Sequence, residues 1–233
     1  MRGDPRLAPY RDRLLAIDGT LWPALPRMAW AIWRYQHGRE CALKLHVKFN
    51  LLEEKPVGAV LKNARCCERS VAREQMQAGE FYVGDRYYGE DYALFGELEA
   101  AGCSFVLRLR QEAIFEVLEP SELSAEDRAA GVTFDGLVRL GARPKHAPVR
   151  LVRVQTEEGE ILLVTDKPRE ELGAELIALI YRYRRGGGGD KRGLADGRAG
   201  ASSSFSNGSS ASLAAGTGWP RASAEWPCRF TAR

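Results

Sequence analysis

Two aspartates sit where chemistry could be done. The apolar run Leu14–Ile17 closes at Asp18, and the apolar run Phe81–Gly84 closes at Asp85. Gly19 follows the first and Gly84 precedes the second, leaving room for another group to approach the backbone. Two carboxylates at the ends of neighbouring buried strands can hold divalent cations, and Mg²⁺ prefers carboxylate oxygen. Two such ions roughly 3.5–4 Å apart clamp the attacking and leaving oxygens of a phosphodiester. Further along, Tyr181 and Arg184 are three residues apart and share a helix face. An arginine there can pair bidentately with a phosphate. Each residue alone has a plainer reading. Asp18-Gly19 reads as a turn, Asp85 as a helix cap, and Arg184 as a solvated arginine in a Tyr-Arg-Tyr-Arg-Arg run.

Other reactive side chains point nowhere in particular. The five cysteines (Cys41, Cys66, Cys67, Cys103 and Cys228) are odd in number and contain no C-x-x-C pair. A zinc site or a disulfide framework is not expected. Adjacent Cys66 and Cys67 read as small, half-buried helix residues. The histidines His37, His46 and His146 are scattered, so spacing suggests no Ser/His/Asp or Cys/His constellation.

The elements that must position the aspartates alternate. Leu14–Ile17 reads as a short buried strand ending at Asp18-Gly19, and residues 43–52 alternate apolar and polar as a half-buried strand. Val57–Leu61 is a third strand, Glu68–Gln77 a helix, Phe81–Gly84 a buried strand, Asp91–Ala101 a helix and Ser104–Leu109 a strand. This order indicates an α/β sheet layered with helices. A β-rich stretch follows, with strands at Ile114–Leu118, Val132–Leu140, Val149–Val154 and Ile161–Thr165 and a hairpin turn at Glu158-Gly159. Lys167-Pro168 opens a last helix, Arg169–Arg185, with an apolar stripe at Leu172, Leu176, Leu179/Ile180 and Tyr183.

A chain of 233 residues makes one good-sized domain or two small ones. With 45% hydrophobic and 28% charged residues, wholesale disorder is excluded. Composition changes at Gly186: from there to Gly218, Gly, Ser and Ala supply 23 of 33 residues. Such a stretch has too little apolar side chain to offset its ordering entropy, so 186–233 is expected to be disordered. That tail holds six basic and three acidic residues, which leaves residues 1–185 with 28 of each sign. No global positive field recommends a polyanion partner, so any such binding must use a local patch. No apolar run approaches the roughly 18 residues of a membrane helix. The N-terminus lacks an apolar signal core. The expected compartment is the cytoplasm.

Taken together, Ile17-Asp18-Gly19-Thr20, then Val83-Gly84-Asp85-Arg86-Tyr87-Tyr88, then Thr165-Asp166 leading to Tyr181-x-x-Arg184, resemble a DDE transposase of bacterial insertion sequences. The insertion-sequence-four branch is the nearest, and Leu25-Pro26-Arg27-Met28-Ala29-Trp30 also resembles it. The resemblance covers about residues 10–185. It implies an RNase H-like catalytic domain over 1–185 with a β-rich insertion at about 111–165. It implies DNA cleavage and strand transfer at transposon ends by a homodimer using Mg²⁺, with no small-molecule cofactor and no membrane. Asp18 and Asp85 would be the first two metal-binding acids. Tyr181 and Arg184 would be DNA-binding and would open the family's Tyr-x2-Arg-x3-Glu-x6-Lys signature, whose four positions fall on one helix face.

In this chain the Glu position of that signature is Gly188 and the Lys position is Ala195. Four glycines at 186–189 should also stop the helix, at roughly 1 kcal/mol each relative to Ala. Glu175 lies 13 residues before Gly188, roughly 220° around the helix, and cannot substitute. Displacing the reading frame by two bases over Ala201–Leu213, with codons such as TCG for Ser202 and AGC for Ser203, gives Val-Glu-Leu-Phe-Leu-Lys-Trp-Phe-Lys-Cys-Ile-Leu. Arg198–Ala201 can supply a preceding Arg-Trp-Arg. That restores Arg-x3-Glu-x6-Lys on an amphipathic helix. The tail, with its stray Trp219 and Trp226, therefore reads as an out-of-frame translation of a truncated and inactive transposase. The 17 residues before Asp18 also look short beside the N-terminal DNA-binding region expected of relatives. The alternatives are a non-catalytic RNase H-like remnant that binds DNA or transposase subunits, and an unrelated metal-dependent nuclease.

Overall fold

The computed structural model describes residues 4–23, 32–35, 38–141 and 147–187. A 3-10 turn at Pro5–Tyr10, capped by the Asp4 carboxylate, leads into β1 (Leu14–Pro23). The strand was expected to end at Ile17. It runs on through Asp18 and Gly19 because a long partner continues the ladder. That partner is β3 (Gly38–Asn50), which pairs antiparallel with it from Leu15↔Asn50 to Pro23↔Ala42. The turn reading of Asp18-Gly19 is thereby removed. The other edge of β3 takes β2 (Ile32–Tyr35) at one end and β4 (Lys55–Asn63) at the other.

Helix α1 (Glu68–Glu74) carries the chain to β5 (Phe81–Gly84), which pairs parallel with β1 through Leu14↔Phe81, Leu15↔Tyr82 and Ala16↔Val83. Helices α2 (Arg86–Gly89) and α3 (Tyr92–Ala100) return it to β6 (Ser104–Arg108), parallel with β5. The order β4-β3-β1-β5-β6 is an antiparallel meander with two parallel strands added beside β1, the expected RNase H-like core.

The β-rich stretch prolongs this same sheet. Strands β7 (Phe115–Pro120), β8 (Val132–Leu140), β9 (Val149–Thr156) and β10 (Gly159–Thr165) form an antiparallel meander, and β10 docks on β6 through Leu163↔Arg108. A short helix, α4 (Ala125–Ala129), begins at a Ser124–Asp127 capping box. The β9–β10 turn falls at Glu157-Glu158, one residue before its expected place, and Gly159 follows with φ +113°, a backbone that favours glycine.

The central strands are buried on both faces, as parallel strands covered by helices must be. On one face Leu14, Phe81, Val83, Val106 and Leu163 pack under the last helix, α5 (Ala174–Gly187), through Ile177, Ile180 and Tyr181. On the other, Ile17, Tyr82, Phe105 and Leu107 pack against Leu94, Phe95 and Leu98 of α3. Helix α5 starts five residues later than Arg169. The Leu172 carbonyl accepts from Arg150 Nη1 at 2.6 Å, while Arg169 is held by Asp127 and Asp135, so this stretch forms a turn. Helix α5 also runs two residues into the glycine run, where an end tolerates Gly. The described residues all belong to one compact unit, Met1–Lys191. The expected disordered segment lies outside the described residues apart from Gly186 and Gly187, and so does Leu25–Trp30.

Candidate active site

The site grows from the register of β1 against β5. The last paired rung is Ala16↔Val83, so two further residues along each chain set Asp18 beside Asp85. Neighbouring strands lie about 4.8 Å apart. Asp85 keeps extended backbone (φ −88°, ψ −168°) and so continues the strand direction. By the two-residue period of a strand, Asp18 faces the same way as Leu14 and Ala16, toward the α5 side.

Asp85 is also the helix cap that its plainer reading proposed. Its Oδ1 accepts the Tyr87 backbone N–H at 3.0 Å, at the start of α2. Its Oδ2 faces Arg184 Nη2 at 3.5 Å. Arg184 is thus no solvated arginine: its side chain is 14% exposed, and its Nε is buried without a hydrogen-bond partner. Tyr181, one turn earlier, is 2% exposed and packs in the core beneath α5. Its ring is committed to packing, which leaves Arg184 as the member of that pair able to meet a phosphate.

Two further side chains lie near the pair, on the face of the sheet away from α5. The carboxylate of Glu68, in the first turn of α1, lies over Gly19 so closely that a Cβ there would sit 2.5 Å from its carboxyl carbon. Glu68 is steadied by Lys44 Nζ at 3.3 Å. Tyr88 is buried in the core on the α3 side of the sheet, the side Gly19 faces. Burial pushes its phenol well above the usual tyrosine range, Glu68, Asp85 and Asp18 add to the rise, and Arg184 opposes it. These four charged groups therefore share one local field. No spacing rule reveals Glu68, because its approach depends on how α1 crosses the sheet. Tyr88 was visible only as part of the motif after Asp85.

Asp166, quoted with the same motifs, lies elsewhere. Its Oδ1 accepts the Phe105 N–H at 2.7 Å, on a rung level with Tyr82. Asp85 is three residues farther along β5, about 10 Å at strand rise. Burial raises the Asp166 carboxyl above its ordinary value. Glu175 is tied to Arg6 at the other end of α5, nine residues before Arg184.

The family model for the transposase DDE domain matches residues 9–186. This chain belongs to the DDE transposase domain family. Its RNase H-like sheet and the two aspartates all fall inside the matched segment. Among solved structures, this DDE domain is similar to a piggyBac transposase synaptic complex with hairpin DNA. The TM-score is 0.42 at 12% identity, over 74% of this chain and 38% of that chain. No curated protein matches the chain.

Members of this family generally use a divalent metal, which sets a test for the DDE domain. Asp18 and Asp85 offer carboxylate oxygens on neighbouring strands, and the Asp85 side chain is 38% exposed. A hard cation that keeps several of its waters needs one or two carboxylates, so the pair fits a single ion. Two ions need more. Among the described residues, no three His, Cys, Asp or Glu side chains come together as a metal site. No helix among the described residues is long and apolar enough to cross a membrane.

Proposed function

We propose that this chain is the catalytic domain of an insertion-sequence-four type transposase acting on DNA at transposon ends in the cytoplasm, in a copy that does not cut. The observation that carries the reading is the Asp18–Asp85 register on parallel strands with Arg184 of α5 over Asp85, inside a segment matched to the family. Asp18 and Asp85 would hold Mg²⁺, which when bound supplies a Lewis acid for phosphodiester oxygens. Arg184 would bind a DNA phosphate, since its Nε lacks a partner and guanidinium groups suit phosphate. Tyr88 and the core beneath α5 hold the strand ends rigid, and the homodimer expected of the family would present two such sites.

The proposed loss of cutting rests on the sequence. The position that should bring a third carboxylate is Gly188, and glycine carries no side-chain oxygen. The missing acid at that position also favours the remnant reading, in which the fold survives to bind DNA or transposase subunits without chemistry, over an unrelated metal-dependent nuclease.

The test is cleavage of a transposon-end duplex with Mg²⁺. The chain as written should give none. A version with the reading frame restored should cut, and Asp18→Asn or Asp85→Asn in it should abolish cutting. An amide is neutral and a poorer ligand for a hard cation. Cutting by the chain as written, surviving both substitutions, would place the active site elsewhere.

A further inference from the structure

We propose that Arg184 is a resting counter-ion that competes for the cation position at Asp85, so that a divalent cation binds Asp85 more tightly when a phosphodiester draws the arginine away. This rests on the reading of Asp18 and Asp85 as a metal pair. The argument begins with how the two oxygens of Asp85 are used. Oδ1 is committed to the Tyr87 N–H at 3.0 Å. Oδ2 is the oxygen left for a cation, and Arg184 Nη2 stands 3.5 Å from it. Two positive groups cannot share that oxygen without repulsion, so cation and arginine compete.

The arginine is also poorly satisfied where it stands. At 3.5 Å the pair is longer than a charge-assisted hydrogen bond of about 2.7–2.9 Å. Its Nε is buried with no partner, which is costly for a donor. A phosphodiester oxygen would supply that missing acceptor. Arg184 therefore has a second position that is better bonded than the first, available only when a phosphate is present. Asp85 stays 38% exposed on the side chain, so the oxygen released can be reached by a hydrated cation. Linkage makes the effect reciprocal: a phosphodiester tightens the cation, and the cation tightens the phosphodiester.

The experiment measures Mn²⁺ binding to the full chain by the loss of the free-ion electron paramagnetic resonance signal. The probes are Mn²⁺ alone and Mn²⁺ with dimethyl phosphate. Arg184→Gln should tighten Mn²⁺ about fivefold, or ~1 kcal/mol at 1.4 kcal/mol per decade. Arg184→Lys, which keeps a cation there, should stay within about twofold of the parent. Dimethyl phosphate should tighten Mn²⁺ binding to the parent and leave Arg184→Gln unmoved. Arg182→Gln removes an exposed charge from the same helix and should change nothing. Equal tightening by Arg182→Gln would mean long-range charge and would overturn the proposal. If Arg184→Gln and the parent bind alike while Asp85→Asn binds less, the counter-ion role fails and the metal pair stands. If no variant binds Mn²⁺, the metal pair fails and the counter-ion role with it. Far-ultraviolet circular dichroism confirms that each variant is folded.

Discussion

Asp18 and Asp85 stand two residues beyond the last paired rung of β1 with β5, side by side on parallel strands. The arrangement needs no loop to set the two residues side by side. Strand register does it, and register is fixed by burial of Leu14, Phe81 and Val83 on the α5 face.

The first prediction separates two roles of Asp85. Asp85→Ala removes the cap on α2 and should cost ~1 kcal/mol in urea unfolding. Asp85→Asn should cost less than half as much, because Asn caps about as well as Asp. The partly exposed ion pair with Arg184 adds little to either loss. A loss of stability in Asn equal to that in Ala would show that the cap bond is not what holds this turn.

Two glycines should behave oppositely. A Cβ on Gly19 would meet the far end of the Glu68 side chain, which can swing aside. Gly19→Ala should therefore cost no more than ~1 kcal/mol, mostly through the displaced Lys44–Glu68 pair. A Cβ on Gly89 would lie 2.0 Å from the Arg108 carbonyl oxygen, which is backbone in a central strand. Gly89→Ala should cost about 3 kcal/mol or more, in the range of severe overpacking. Chemical denaturation of the two variants side by side checks the order.

Much of this fold was legible because its signals are local. Phe81–Gly84 and Val132–Leu140 appear as strands with the expected bounds, since an unbroken apolar run and a clean alternation each specify a strand by themselves. The Asp-Gly turn signal cuts β1 short at Ile17 in a local reading. Only pairing with β3, distant in sequence, overrides it. Local signals start helix α5 too early, because nothing local shows that Arg150 claims the Leu172 carbonyl. At the site, Asp18, Asp85 and Arg184 were legible from motif and spacing. The Arg184–Asp85 contact and the position of Glu68 were not, since both depend on how helices cross the sheet.

The buried charges under the start of α5 should be the most sensitive to single changes. Asp135 is 1% exposed and accepts from Arg150 Nε at 2.8 Å and Nη2 at 2.9 Å, with Arg169 also on it. Arg150 in turn holds the carbonyls of Lys167 and Leu172. Asp135→Ala leaves a buried guanidinium uncompensated and should cost roughly 3–5 kcal/mol. The joint change Asp135→Leu with Arg150→Met should recover much of that, because no charge is then stranded. Hydrogen exchange should show faster opening of Ala174–Ile177 in Asp135→Ala, since the turn before α5 loses its anchor. A joint variant as unstable as the single would show that the network's hydrogen bonds, not its charge balance, set the stability.

Acid should weaken the protein in two separable steps. His46 is 4% exposed with its Nε2 unpartnered; burial first, then Lys44 and Lys62, hold its imidazole below the ordinary value. The unfolded chain takes up that proton near pH 6.5, while the folded chain resists it. Stability from a neutral His46 is therefore full above about pH 6.5 and declines below it. Asp127 behaves differently. Burial pushes its carboxyl up, but hydrogen bonds from Arg169 and Ser124 outweigh that and bring it down to about 2. An acid lowered in the folded state stabilises above its unfolded value, near 3.9, and loses that contribution as pH falls toward about 2. Unfolding free energies measured across pH 7 to 2 should thus begin to fall below about 6.5, through His46, and fall again below about 4, through Asp127. His46→Leu should flatten the first fall and leave the second, because it removes the titrating imidazole and its unpaired nitrogen. Arg169→Met should shrink the second and leave the first. A His46→Leu variant that still loses stability just below pH 6.5 would assign that step to another group.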